Sequence, residues 1–150
     1  MHTSTASTPS TTPAPFSGAR LRIEAPSDPT VARKARDWLT APLRTAHPQL
    51  ADDVLLCLSE VVTNAHRHTT AATIRVDAHI TDAHVVVRVR DNRAGALPRP
   101  AGSRSDEERG RGLTLLDAFA DSWGVTPLDG RRSSGKSVWF RLTARRRDPG

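Results

Sequence analysis

Glu60, Asn64 and His68 stand at i, i+4 and i+8 within a run of strong helical periodicity, and at about 100° per residue they form one polar stripe beside an apolar face. A carboxylate and an amide one turn apart can meet a single ligand; the same stripe also suits an ordinary solvated helix edge. His66 and His68 are two residues apart and point to different sides of a helix, which argues against a metal pair. Asp91 closes the apolar run Val85-Val86-Val87-Arg88-Val89. A carboxylate at such a strand end can accept a hydrogen bond from a ligand amino group, and Asp91-Asn92 is equally a normal turn opener. Gly110-Arg111-Gly112 directly precedes a predicted helix. Glycine there lets backbone approach a bound group, and free N–H groups attract phosphate by about 0.3 to 1 kcal/mol per charge. Arg109 and Arg111 add full charges, while the glycines also serve plain loop geometry.

The elements that must hold these residues follow from periodicity. Leu21, Ile23 and Ala25 alternate with Arg20, Arg22 and Glu24, the pattern of a half-buried strand. Ser27-Asp28-Pro29 predicts a cap followed by proline at the first helical position. The first helix is expected from about Pro29 toward Leu39, with Val31, Ala35, Trp38 and Leu39 inward and Pro42 kinking or ending it. A second helix, about Pro48 to Thr69, puts Val54, Leu55, Leu58, Val61, Val62 and Ala65 on one face against a sheet. Strands at Thr73 to Ile80 and His84 to Arg90 are joined by Thr81-Asp82-Ala83, a link short enough to favour an antiparallel pair. Asp91 to Asp106 has no periodicity and reads as a long loop. A third helix is expected from about Gly112 to Asp121, with Leu115, Leu116, Phe119 and Ala120 inward. Trp123 to Pro127 and Lys136 to Leu142 complete the strands. Gly135-Lys136-Ser137 ends like a phosphate loop but lacks the GxxxxGK[ST] spacing and leads into a strand, which excludes a Walker site. This order predicts a two-layer α/β domain over residues 19–143, with helices on one face of a mixed, mainly antiparallel sheet.

Composition narrows the function classes. At 150 residues, 37% of them hydrophobic and 25% charged, the chain is sized for one domain with a packed core. Residues 1–18 are Ser, Thr and Pro rich and are expected to form a disordered arm. Met1 to Ser17 has neither a basic nor an apolar targeting segment, and no apolar run is long enough to span a bilayer, so a cytoplasmic protein without membrane contact is expected. Cys57 is the single cysteine, which excludes a disulfide framework and a cysteine zinc site within one chain. The net charge of +6 is concentrated after Arg131, and residues 144–150 form a basic tail. With aromatics at 4% and no reading helix, nucleic acid is not the expected partner.

Four motifs occur in a telling order: Ser59-Glu60-Val61-Val62-Thr63-Asn64-Ala65-His66-Arg67-His68, Val87-Arg88-Val89-Arg90-Asp91, Gly110-Arg111-Gly112-Leu113 through Trp123-Gly124, and Gly135-Lys136-Ser137-Val138-Trp139-Phe140. Together they closely resemble the small anti-sigma-factor serine/threonine kinases of the GHKL (histidine kinase-like) ATPase superfamily, over about Arg20 to Leu142. The resemblance implies a Bergerat sandwich that binds ATP with Mg2+. It implies Asn64 as the magnesium ligand, Glu60 as the base for an incoming serine hydroxyl, and Asp91 as the acceptor of the adenine amino group. By the same resemblance Gly110 and Gly112 present amides to phosphate, Arg109 neutralises the transferred group, and Ser137 helps hold the base end of the nucleotide. His68, Gly95, Arg111 and Leu113 fall at its remaining nucleotide-binding positions. The implied partners are a sigma factor and a STAS-type antagonist phosphorylated on serine, with a homodimer expected from the family. One departure stands out: the first glycine box, usually Asp-x-Gly-x-Gly, reads Asp91-Asn92-Arg93-Ala94-Gly95. A side chain replaces bare backbone at Arg93, which makes nucleotide binding a firmer expectation than turnover.

Overall fold

The computed structural model describes residues 18–69, 71–91, 113–127 and 136–144. The proposed arm before Gly18, the loop after Asp91 with its glycine boxes, and the tail beyond Ala144 lie outside the described residues. The elements are β1 (Ala19–Pro26), α1 (Val31–Ala46), α2 (Pro48–His68), β2 (Thr73–Ile80), β3 (His84–Asp91), α3 (Thr114–Phe119), β4 (Ser122–Pro127) and β5 (Lys136–Thr143). The five strands form one sheet in the order β1-β2-β3-β5-β4, and each of the four pairings is antiparallel. No described helix is long and apolar enough to cross a membrane.

The period-two alternation read from the strands becomes two chemically different sheet faces. Ile74, Val76, Ala78 and Ile80 of β2, Val85, Val87 and Val89 of β3, and Val138, Phe140 and Leu142 of β5 are buried beneath the helices. They pack with Leu39 and Leu43 of α1 and with Val54, Leu58, Val61 and Val62 of α2 in one continuous core. Fully burying a side chain of this size stabilises by about 1.5 to 3 kcal/mol, so this seam holds the two layers together. Cys57 belongs to the same seam and is completely buried. Burial pushes its thiol up to about 12, with the nearby Asp53 adding to the effect, so it packs as a small hydrophobe.

Local chemistry sets the helix ends. Asp28 Oδ1 accepts from the Thr30 N–H at 2.8 Å and from the Thr30 hydroxyl at 2.7 Å, and Val31 N–H donates to the Asp28 carbonyl. The Thr30 hydroxyl first, then its N–H, hold the Asp28 carboxyl below the usual carboxylate range. This turn takes up Pro29, so α1 starts at Val31 and not at Pro29. Pro42 does not end α1 either, and the helix continues to Ala46. Proline there removes one N–H, but fully buried Leu39 and Leu43 anchor the helix on both sides of it. His47 alone separates α1 from α2, with Pro48 opening the second helix. The buried His47 ring reaches the Thr81 carbonyl through Nε2 at 2.6 Å; a carbonyl only accepts, so Nε2 carries the proton. That bond ties the helix junction to the β2–β3 turn, where Thr81 Oγ1 also accepts from the N–H groups of Ala83 and His84.

The third helix is shorter than its sequence pattern suggests, covering six residues from Thr114. Of its expected inward residues Leu116 is buried, Leu115 and Ala120 are half-buried, and Phe119 is 38% exposed. The helix ends at Phe119, so that ring stands at the helix terminus and is left partly exposed although Leu116, three residues earlier on the same face, is buried.

The face of the sheet away from the described helices carries different residues. In cross-strand register it reads Glu24, Arg75, Arg90, Ser137, Thr126; then Arg22, Asp77, Arg88, Trp139, Gly124; then Arg20, His79, Val86, Arg141, Ser122. A Cβ on Gly124 would lie 2.9 Å from Trp139 Nε1, so the absent side chain makes room for the indole.

Candidate functional site

A small hollow lies where the C-terminal half of α2 crosses the ends of β3 and β5. Val61, Asn64, Ala65 and His68 line it from the helix, Val89 and Asp91 from β3, and Val138 from β5. Helical spacing explains the first group, since residues three and four apart share a face. Strand alternation explains the second, because Asp91 is two residues beyond Val89 and therefore on the helix side of the sheet. Asp91 pairs in register with Ile74, which fixes its depth. The result brings an amide and a carboxylate, each only 8% exposed, to the same place among apolar walls. Burying such groups is costly unless they are satisfied, so an Asn and an Asp brought to one hollow are a chemically specific feature.

The neighbouring histidine is committed elsewhere. His66 Nδ1 lies 2.8 Å from Ser27 Oγ, locking the end of α2 to the link after β1, while His68 lines the hollow. The two rings thus diverge, as their spacing requires. His66, Arg67 and His68 in the last turn of α2 also complement the negative end of the helix dipole.

Not every candidate joins this cluster. Glu60 is half-buried one turn before Asn64 and is not part of the hollow's lining. Leu113 is buried in the core just ahead of α3. Ser137 lies in register with Arg90, on the opposite face of the sheet from Asp91 and Asn64. Its Oγ is buried with no hydrogen-bond partner among the described residues. The alternation of Val138, Phe140 and Leu142 already carried that signal. Gly95, Arg109, Gly110, Arg111 and Gly112 lie outside the described residues. Sequence reasoning assigned Val61, Ala65, Val89 and Val138 no ligand role, although the first two lie within one turn of Asn64.

The hollow itself has a volume of about 20 Å³, room for roughly one water. Asn64, His68 and Asp91 are its polar lining residues. Among the described residues no group of three His, Cys, Asp or Glu side chains converges to hold a metal. This donor set fits a magnesium ion that arrives with phosphate and water ligands, since that cation is commonly held by one or two protein oxygens plus substrate phosphates.

The signature of the histidine kinase-like ATPase domain matches residues 25–142, from the end of β1 into the last part of β5. No curated protein matches the chain. Among the solved structures that match is the crystal structure of the RsbU and RsbW domains of Rv1364c from Mycobacterium tuberculosis, with a TM-score of 0.58 and 21% sequence identity. The match covers 83% of this chain but 31% of that one, so the chain spans less than a third of its structural relative's length. At this identity the likeness is one of fold.

Proposed function

The chain belongs to the histidine kinase-like ATPase domain family, and from that premise we propose that it binds ATP with magnesium over the α2–β3–β5 hollow and acts as an anti-sigma-factor-like regulator. The observation that carries the reading is the convergence of Asn64 and Asp91, from different elements, on one hollow. Asn64 would offer its amide oxygen to the cation. Asp91, at the buried end of β3, would accept from the exocyclic amino group of adenine and so discriminate against guanine, which presents a carbonyl at that position. Bound magnesium-ATP supplies the transferable phosphoryl group, and such transfer depends mainly on positioning and charge neutralisation. Glu60, one turn before Asn64, would take the proton of a serine hydroxyl on an antagonist protein. Arg109 and the Gly110 and Gly112 amides are assigned to the phosphates by family resemblance alone. A phosphate added at a docking surface weakens the contact through charge and desolvation, which would switch the protein between a sigma factor and its STAS-type antagonist.

Arg93 in the first glycine box favours a second reading, in which nucleotide is bound and regulation works by association without transfer. Calorimetric titration with ATP and GTP, followed by transfer of labelled γ-phosphate to a STAS-type protein, separates the two. Saturable ATP binding with transfer that Glu60→Ala abolishes supports the kinase. Binding without transfer supports the second reading. An absence of nucleotide binding removes both.

A further inference from the structure

The face of the sheet away from the described helices carries an arginine trough of about 590 Å³, a volume within the range of ligand sites. Arg20, Arg22, Arg75, Arg88 and Arg90 line it, and Asp77 is the only acid among its lining residues. That one carboxylate is already shared, lying 2.6 Å from Arg22 Nε and 3.3 Å from Arg75 Nε. Arg20, Arg88 and Arg90 form no ion pair among the described residues. Arg90 Nε is buried without a hydrogen-bond partner there. Five guanidinium groups thus crowd the trough around one lining carboxylate, with Glu24, beside Arg75, the other acid in the cross-strand rows of this face.

We propose that this face docks an extended acidic segment of a partner protein, with carboxylates at alternate positions. Alternate residues on a strand lie about 6.6 to 6.8 Å apart, and Arg88 and Arg90 repeat along β3 at that spacing. An extended partner strand presents same-side side chains at the same interval, and guanidinium is the group best shaped for a carboxylate. A single-stranded nucleic acid fits less well. Trp139 and the His79 imidazole are the aromatic rings in these cross-strand rows, and Trp139 is seated over Gly124, so the face offers no run of rings on which successive bases could stack. A second copy of the chain would oppose arginine with arginine.

The test uses the full chain and a short fluorescein-labelled peptide alternating Glu and Thr, followed by fluorescence anisotropy at low and high salt. Saturable binding that salt weakens is expected. Arg88→Glu and, independently, the strand-edge variant Arg20→Glu should each weaken it by about fivefold, while Arg33→Glu on α1 leaves it unchanged. Thermal melts of each variant exclude unfolding as the cause of a loss. The proposal is overturned by a lack of saturable binding, by an equal loss in Arg33→Glu, or by tighter binding of an oligothymidylate of equal charge. None of these outcomes bears on the nucleotide reading, which concerns the opposite side of the sheet.

Discussion

Replacing Asn64 with alanine separates a nucleotide site from a merely polar helix edge. Asn64 is 8% exposed and lies in helical backbone, where alanine is favourable, so the ligand-free variant should stay within about 1 kcal/mol of the parent. A ligand at 100 times its dissociation constant stabilises the folded state by about 2.7 kcal/mol. For a domain of this size that is a rise of about 11 °C in Tm, at about 4 °C per kcal/mol. Losing one charge-assisted contact of about 2 kcal/mol weakens binding about 30-fold. At the same magnesium-ATP concentration the variant then retains about 0.9 kcal/mol, a rise of about 3 to 4 °C. The assay is a thermal melt with and without magnesium-ATP, repeated with ATP and a chelator. If the variant rises as far as the parent, Asn64 does not hold the cation. If the parent does not rise at millimolar magnesium-ATP, the nucleotide reading itself fails.

Other expectations concern the framework. Phe140→Ala empties a fully buried core position and should cost about 3 to 5 kcal/mol, seen as a lower denaturant midpoint with unchanged slope. Gly124→Ala forces the Trp139 indole to move and should cost about 1 to 2 kcal/mol with altered tryptophan fluorescence; an unchanged spectrum and melt would contradict the contact. Native Cys57 should resist iodoacetamide at pH 8 and react fully once unfolded. Because its thiol is raised to about 12 in the fold, its contribution to stability is complete below the ordinary thiol range near pH 8.5 and is lost as pH rises toward 12. Urea midpoints measured across alkaline pH, in the parent and in Cys57→Ala, read this directly.

Where one face of an element is buried along its whole length, sequence alone locates it well. Strand β2 emerges at the expected position because its apolar alternation is unbroken, β3 because it is an apolar run bounded by turns, and α2 because its apolar stripe persists over about four turns. The placement of Asn64 and Asp91 on the helix and strand faces that meet follows from the same phase, since each is in step with a buried neighbour. Of the two outcomes expected at Pro42, a kink or an end, the helix does not end there, because the anchoring of Leu39 and Leu43 on both sides outweighs one missing donor. Phe119 is in phase with buried Leu116 but is the last residue of a helix that stops short of the expected Asp121, which leaves its ring partly exposed. Ser137 was grouped with the nucleotide residues by motif, although its phase against Val138 set it on the other face. Charge was judged by its total along the chain, where residues outside the basic C-terminal stretch cancel. Folding the same residues into strands sorts arginine to one side, and only the pairing register reveals that concentration.

The joining of β1 to β2 bears on how the chain reaches this state. β2 and β3 are linked through a tight turn and can zip locally, whereas Arg22 meets Asp77 from 55 residues away, across both long helices. Closing so long a loop delays contact formation, so β1 is expected to dock late and, as an outer strand, to exchange its amide hydrogens before β3 does. A chain caught before that step would already possess the α2–β3 hollow yet lack one bank of the arginine trough. Partner capture on that surface would therefore be reserved for molecules that have finished folding.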